Sequence, residues 1–325
     1  MAVTVKEEAK GIFRIGPLQS AHPGRTGHHS SLTSPFLAVG SERVWVLEPG
    51  EDVQVPGTLE ALKQLGLGLD RVEYVWASHI HLHHIQGLPQ LLRELPRAKF
   101  LVHPRGAPHV VETTRLVETT IQVWGDKCYG PFGGIPQAKV APVQDGQVFD
   151  LGGKELEIIY APGHAPHHMG LFDRQTKVLF PGDLNTGANS FGGPGGSSPT
   201  IFDTEKFLSS LRRFQDFNPS MVLTFGQHEV LPVEILKYAE VDHIVVERAC
   251  LEGMKQKMSM AEINRRVELI REWIRAGEHQ GGESEQAIRA EQGAPANMIA
   301  YLLRKHPELE MPSGPRRART ASVRE

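Results

Sequence analysis

Four histidines fall within six residues, at His79, His81, His83 and His84. Neutral imidazole is the commonest protein ligand for zinc and related ions, and packing alone gives no reason for such density. The run follows an apolar, β-like stretch, Tyr74-Val75-Trp76-Ala77, so it stands where a strand ends. On extended chain, alternation points His79, His81 and His83 one way, and the chain must then turn for His84 to join them. Taken alone, the run also fits a histidine-rich surface loop. Three later segments argue for ligation. His164, Asp183 and His228 each stand in the turn after an apolar run, Leu156–Tyr160, Val178–Phe180 and Met221–Phe225. Separate strands that each deliver a metal-type ligand at one end of a sheet describe a site. Two sets of imidazoles plus a carboxylate able to bridge would hold two divalent ions. A hydroxide shared between them would be a strong nucleophile at neutral pH.

The elements that must position these residues can be followed in chain order. Phe36–Val39 and Val44–Leu47 flank a polar turn and predict a hairpin that ends at Glu48-Pro49-Gly50. Leucines at 59, 62 and 65 predict a short helix, and Leu88, Leu91, Leu92 and Leu95 a second one, which Pro96 ends. A strand over Lys99–His103 follows, and a second hairpin is predicted around Gly152-Gly153. Asp203 is placed to cap a helix carrying Phe207, Leu208, Leu211 and Phe214. Beyond residue 230 the pattern is helical. Ser259 and Glu262 form a capping-box pair ahead of an apolar face at Ile263, Val267, Ile270 and Ile274, and a last helix is expected over Pro295–Lys305. The chain is expected to divide into a domain over 1–230, a helical extension over 231–311 and a disordered tail over 312–325. The smaller cluster His28-His29 reads as a solvated loop, and the Gly-rich 187–196 segment as a flap or linker that lacks a phosphate-cradling ending.

Composition sets the outer bounds. The 325 residues are 40% hydrophobic and 22% charged with a formal net charge of −3, which gives no reason to expect a nucleic-acid partner. No apolar run is long enough to cross a bilayer, and the N-terminus lacks the order of a signal peptide. Cys128 and Cys250 stand alone, so a disulfide framework is not expected and a cytoplasmic location is. The expected partner is a small-molecule substrate, with a homodimer through the C-terminal helices as a further expectation.

The order His-x-His-x-x-His, then Gly-His, Gly-Asp and a final His, resembles the metallo-β-lactamase-fold hydrolase superfamily over roughly residues 30 to 230. The resemblance implies an α/β (α+β) fold, an αββα sandwich of two sheets with helices outside, here with a C-terminal helical extension. It implies that His79, His81 and His164 hold a first metal, that His84 and His228 hold a second, and that Asp183 bridges. Two positions depart from the pattern. The family usually reads His-x-His-x-Asp-His, with the aspartate binding the second metal and orienting the attacking water, and here that position is His83. The strand near residue 48 usually ends in an aspartate, and here in Glu48. Three readings of His83 stand: an imidazole ligand, a side chain turned away from a mononuclear site, or the mark of a relative that binds metal without turnover. On the first, Asp183 and His83 are the catalytic pair, and two divalent transition metals are expected, zinc first, with iron or manganese as alternatives.

The function this implies is metal-dependent hydrolysis of a small ester, lactone, thioester or amide by a metal-bound hydroxide. No Gly-x-Ser-x-Gly nucleophile motif is present. The alternatives are a diiron-type oxidoreductase or dioxygenase of the same fold, a nuclease or phosphodiesterase, and a non-catalytic metal-binding relative. His167 and His168 are expected behind the ligands or at the surface.

Overall fold

Alternation along the strands sorts the apolar side chains of the N-terminal sheet into two layers. In Val44–Leu47, Val44 and Val46 join one core while Trp45 and Leu47 join another. Phe100 and Val102 likewise part from Leu101. Successive residues of a strand point to opposite faces, so a sheet with apolar residues throughout must be covered on both sides. The computed structural model describes residues 3–16, 34–124, 132–184, 202–225, 230–278 and 294–312, and these fall into two compact units.

The first unit comprises Met1–Ala161, His167–Gly182 and Asn218–Pro232. Its larger sheet has seven strands in chain order: β1 (Val5–Ala9), β2 (Ile12–Ile15), β3 (Phe36–Val39), β4 (Val44–Leu47), β5 (Val72–Trp76), β6 (Lys99–Val102) and β7 (Val140–Pro142). Pairing is antiparallel from β1 to β4 and parallel from β4 to β7. The parallel half needs crossovers, and helices supply them: α1 (Val55–Gln64), α2 (Leu82–Ile85), α3 (Leu88–Glu94), α4 (Ala107–Val111) and α5 (Thr114–Trp124). Ala61, Leu62, Leu88 and Leu91 bury against Val46, Val75 and Phe100 to form the outer core.

The second sheet has five strands: β8 (Val148–Asp150), β9 (Glu155–Tyr160), β10 (Met169–Asp173), β11 (Val178–Phe180) and β12 (Met221–Val222), in the order β12-β11-β10-β9-β8. Its Leu156, Ile158, Met169, Leu171 and Phe180 meet Phe36, Trp45, Leu47 and Trp76 in the core between the sheets. Phe36 and Phe180 pack edge to face, ring centroids 5.2 Å apart. Both predicted hairpins are present, β3–β4 and β8–β9.

The second unit comprises Pro162–Pro166, Asp183–Phe217 and Val233–Glu325. Its helices are α6 (Thr204–Asp216), α7 (Ile235–Lys255), α8 (Met260–Glu278) and α9 (Ala294–Lys305). Asp203 caps α6 by accepting the Lys206 N–H, and Ser259 and Glu262 form the reciprocal box ahead of α8. Val246 and Ala249 of α7, Ile263 and Val267 of α8 and Met298, Ile299 and Leu302 of α9 share one core. Among the described residues, no helix is long and apolar enough to cross a membrane.

Candidate metal centre

Parallel strands end on one edge of a sheet, and β4 and β5 bring two polar turns together there. At the end of β4, Glu48 takes a left-handed conformation (φ 53°) while its N–H still donates to the Trp76 carbonyl at 2.7 Å. The carboxylate is thereby aimed inward and is buried. Its Oε1 accepts the Ser78 N–H at 3.1 Å, and its Oε2 lies 2.6 Å from His84 Nδ1. A carboxylate only accepts, so Nδ1 carries the proton and Nε2 is the nitrogen that can ligate. Ser78 serves three neighbours at once. Beyond the bond to Glu48, its carbonyl accepts the Met169 N–H at 2.8 Å, and its Oγ is 3.0 Å from His79 Nδ1. That serine ties β5 to β10 and orients the first histidine.

After His79 the extended chain does not continue as the alternation implied. His81 has strand-like angles, but α2 begins at Leu82, so the turn comes before His83 instead of after it. His83 and His84 are consecutive residues of one helical turn, with ring centroids 4.1 Å apart. The short helix is held from outside: Gly50 donates to the His84 carbonyl, Gly87 donates to the Gly50 carbonyl, and Gln86 accepts the Asp52 N–H.

His164 follows β9 by four residues, in a turn that has room only for glycine at 163. There φ is 140°, and an added Cβ would stand 2.3 Å from Phe207 Cα. The N–H of Asp203 donates to the Gly163 carbonyl and Ser210 Oγ to that of Pro162, so the start of α6 fixes the loop. Asp183 follows β11 through Gly182, whose φ is 57° and whose Cβ would lie 2.4 Å from Ser78 Cβ. His164 Nε2 and Asp183 Oδ2 are 3.5 Å apart.

Six of the seven residues expected as ligands converge. Ligand atoms of His79, His81, His164 and Asp183 lie within 4.8 Å of one another, and so do those of His79, His83, His84 and Asp183. The donor set fits a transition metal: neutral imidazoles with one carboxylate. Two nitrogens on one tetrahedral zinc stand roughly 3.3 Å apart, given Zn–N bonds near 2.0–2.1 Å. His79 Nε2 and His81 Nδ1 face each other at 2.8 Å, so a small opening of the pair admits the ion. The seventh expected ligand, His228, lies outside the described residues, as do His28, His29 and the 187–196 segment. His79, His84, His164 and Asp183 are buried, whereas His81 and His83 are half-buried and mark the solvent side.

His167 and His168, expected behind the ligands or at the surface, stand beside His79, and Phe225 joins them from β12's side without a sequence signal. His168 is fully buried with its ring 5.1 Å from that of His79, and His167 stacks over His79 at 6.3 Å. Phe225 lies 5.1 Å from the His84 ring. His103 has a structural place: its ring packs on Tyr160 at 4.2 Å and its Nδ1 accepts the Arg105 N–H.

Known proteins place this arrangement. ST1585 from Sulfurisphaera tokodaii, a metallo-β-lactamase fold-containing protein, is 31% identical over 208 residues, 62% of this chain and 72% of that one. Its crystal structure superposes with a TM-score of 0.59 over 89% of this chain and 98% of its own, and identity falls to 21% over that longer alignment. An atrochrysone carboxyl ACP thioesterase from Aspergillus fumigatus is 26% identical over 206 residues, 62% of this chain but only 52% of the thioesterase. The hydroxyacylglutathione hydrolase GloC of Haemophilus influenzae matches at 32% over 87 residues, 26% of this chain and 38% of its own length. The profile described as the metallo-beta-lactamase superfamily matches residues 13–226, the stretch that holds β3 to β12 and every expected ligand but His228. This chain belongs to the metallo-β-lactamase superfamily.

Proposed function

We propose that this protein is a dinuclear metal-dependent hydrolase that cleaves a thioester. The observation that carries the metal reading is the pair of donor sets that share His79 and Asp183. The thioester is favoured over an ester, lactone or amide by the two relatives named for thioester substrates, the fungal ACP thioesterase and GloC. Divalent ions in these sets supply Lewis acidity and lower the pKa of water toward about 7, which gives a nucleophile at neutral pH.

The chain's own residues do the rest. Glu48 keeps the proton of His84 on Nδ1 and so presents Nε2, while Ser78 orients His79. Asp183 is the sole carboxylate in either set and belongs to both, which makes it the acceptor that orients the attacking water. His83 takes the place of the usual aspartate and adds a nitrogen donor to the second set. Because His81 and His83 are the half-buried members, water and the acyl group approach from their side. Hydrolysis of a butanoyl thioester of N-acetylcysteamine by the purified chain tests the reading. Activity should vanish with a chelator and return with zinc, with two metals bound per chain. Turnover that survives complete metal removal, or no turnover by fully loaded protein, would sink it.

A further inference from the structure

The loop that carries His164 folds with the second unit, since Pro162–Pro166 belongs to the same compact body as α6 and α7. Three contacts seat it on the first turns of α6. The Asp203 N–H donates to the Gly163 carbonyl at 2.9 Å, and Ser210 Oγ to the Pro162 carbonyl at 2.7 Å. Between them Gly163 lies against the helix backbone itself, where an added Cβ would stand 2.4 Å from the Phe207 nitrogen as well as 2.3 Å from its Cα. A close-packed contact without slack transmits displacement, so a shift of Phe207 moves the backbone next to His164.

His243 of α7 grips that part of α6 at two points. Its ring stacks on Phe207, centroids 4.6 Å apart and planes 20° from parallel, and its Nε2 lies 3.2 Å from Thr204 Oγ1. Thr204 and Phe207 are three residues apart on one helix and so share a face. The threonine hydroxyl also donates to the Met298 sulfur of α9 at 3.7 Å; a hydroxyl gives one proton and still accepts, so Nε2 can donate to it at the same time. Phe202, just before the cap, lies 5.4 Å from the imidazole and 5.7 Å from the Phe207 ring. His243 is only 2% exposed. A leucine or phenylalanine would fill this space without taking two ring nitrogens out of water. Apolar burial has no direction, whereas a hydrogen bond does, so an imidazole that stacks and bonds at once fixes the first turn of α6 in rotation and in height.

We infer that His243 is a positioning residue for the metal centre: it sets the first turn of α6 and, through Phe207 and Gly163, the place of His164. The inference rests on the two donor sets and not on hydrolysis. It carries a selective signature, because His164 belongs to the first set, with His79, His81 and Asp183, whereas the second combines His79 and Asp183 with His83 and His84. A general loosening of the fold would have no such selectivity.

The test titrates cobalt(II) into the metal-free full chain against a competing chelator, with each binding constant read from visible absorption. In His243→Ala one constant should fall about tenfold, the low end for partners that orient metal-binding histidines, while the other stays within about twofold of wild type. His243→Phe drops the bond and keeps the stack, and Phe207→Leu does the reverse. Each should take about half of that free energy, a fall of about threefold in the same constant, so the answer does not depend on the alanine variant folding. Val267→Ala, which opens a hole in the core of the same unit on α8, should leave both constants within about twofold. Three results would overturn the role: both constants unchanged in the His243 variants, both lowered equally, or the same selective loss in Val267→Ala. Should wild type bind a single ion, its constant must show the tenfold fall, and a smaller change than about twofold refutes the role, as does a wild type that binds no cobalt. Failure to turn over the butanoyl thioester would refute the hydrolase reading alone and leave these constants as they are.

Discussion

Glutamine at position 48 is the sharpest probe of how the centre is held. The wild-type carboxylate accepts two bonds, from the Ser78 N–H at 3.1 Å and from His84 Nδ1 at 2.6 Å, in a position only 2% exposed. An amide of the same shape has one oxygen. Whichever partner keeps it, the other N–H faces an NH2 group, and a buried donor left unsatisfied costs about 1–3 kcal/mol. The contact to His84 also loses its charge assistance, which roughly halves its strength. Partners that orient metal-binding histidines are typically worth 10–100-fold in metal affinity, about 1.4–2.8 kcal/mol, so two independent routes give the same size. Glu48→Gln should therefore weaken metal binding by roughly one to two orders of magnitude and lower the stability of the metal-free chain by about 1–3 kcal/mol. Competition against a chromophoric chelator measures the first and denaturant unfolding the second. Metal affinity within about twofold of wild type would refute the reasoning, because His84 would then need no fixed tautomer.

Gly182→Ala should be worse than an ordinary surface change: the new Cβ would sit 2.4 Å from Ser78 Cβ and 2.5 Å from His168 Nε2, at a φ of 57°. A loss of about 2–4 kcal/mol in unfolding free energy is expected, with Asp183 displaced and metal affinity reduced. His83→Ala should lower metal content toward one ion per chain while His83→Asp keeps two; plasma emission on dialysed protein reads this, and two ions in His83→Ala would show that the imidazole does not ligate. For His103, burial chiefly, with the Arg105 charge adding and Asp145 opposing, holds the imidazole below its usual pKa. A histidine that stays neutral in the folded chain contributes stability above its unfolded pKa of about 6.5 and loses it as pH falls from there toward the lower folded value. Metal-loaded wild type should therefore lose stability below about pH 6.5 more steeply than His103→Gln, and parallel curves would refute this.

How much of this was legible in the sequence depended on whether a residue's partner was local. The caps at Asp203 and Ser259 were readable because donor and acceptor are three residues apart. The hairpins were readable from alternation around a turn. β10 was not, because Met169–Asp173 is buried at every position and ends in an aspartate. Asp173 can lie inside only because Lys154 and Thr176 meet its carboxylate, and Lys154 is nineteen residues away. The candidate ligands stood out by type and spacing. The residues that aim them were less so: Glu48 stood out only as the acid at a strand end, and Ser78 not at all, until β4 and β5 pair in parallel. His167 and His168 reach the cluster only because the His168 carbonyl accepts the Ala161 N–H and brings the chain back beside β9.

Ser78 has a consequence for the order in which the protein matures. It joins Glu48, thirty residues upstream, to Met169 on the other sheet, so the cage around His79 closes only after both sheets have come together. Contacts of such long range form late, because their loop entropy must be met first. During synthesis, a chain that has emerged as far as β6 already exposes His79, His81, His83 and His84 but has no Asp183. A flexible imidazole run follows the intrinsic affinity order, in which copper outcompetes zinc. In the folded chain the candidate donors are already gathered, with Asp183 as the carboxylate among the described ones. Refolding in mixed metals should therefore give a different occupancy from loading the folded chain.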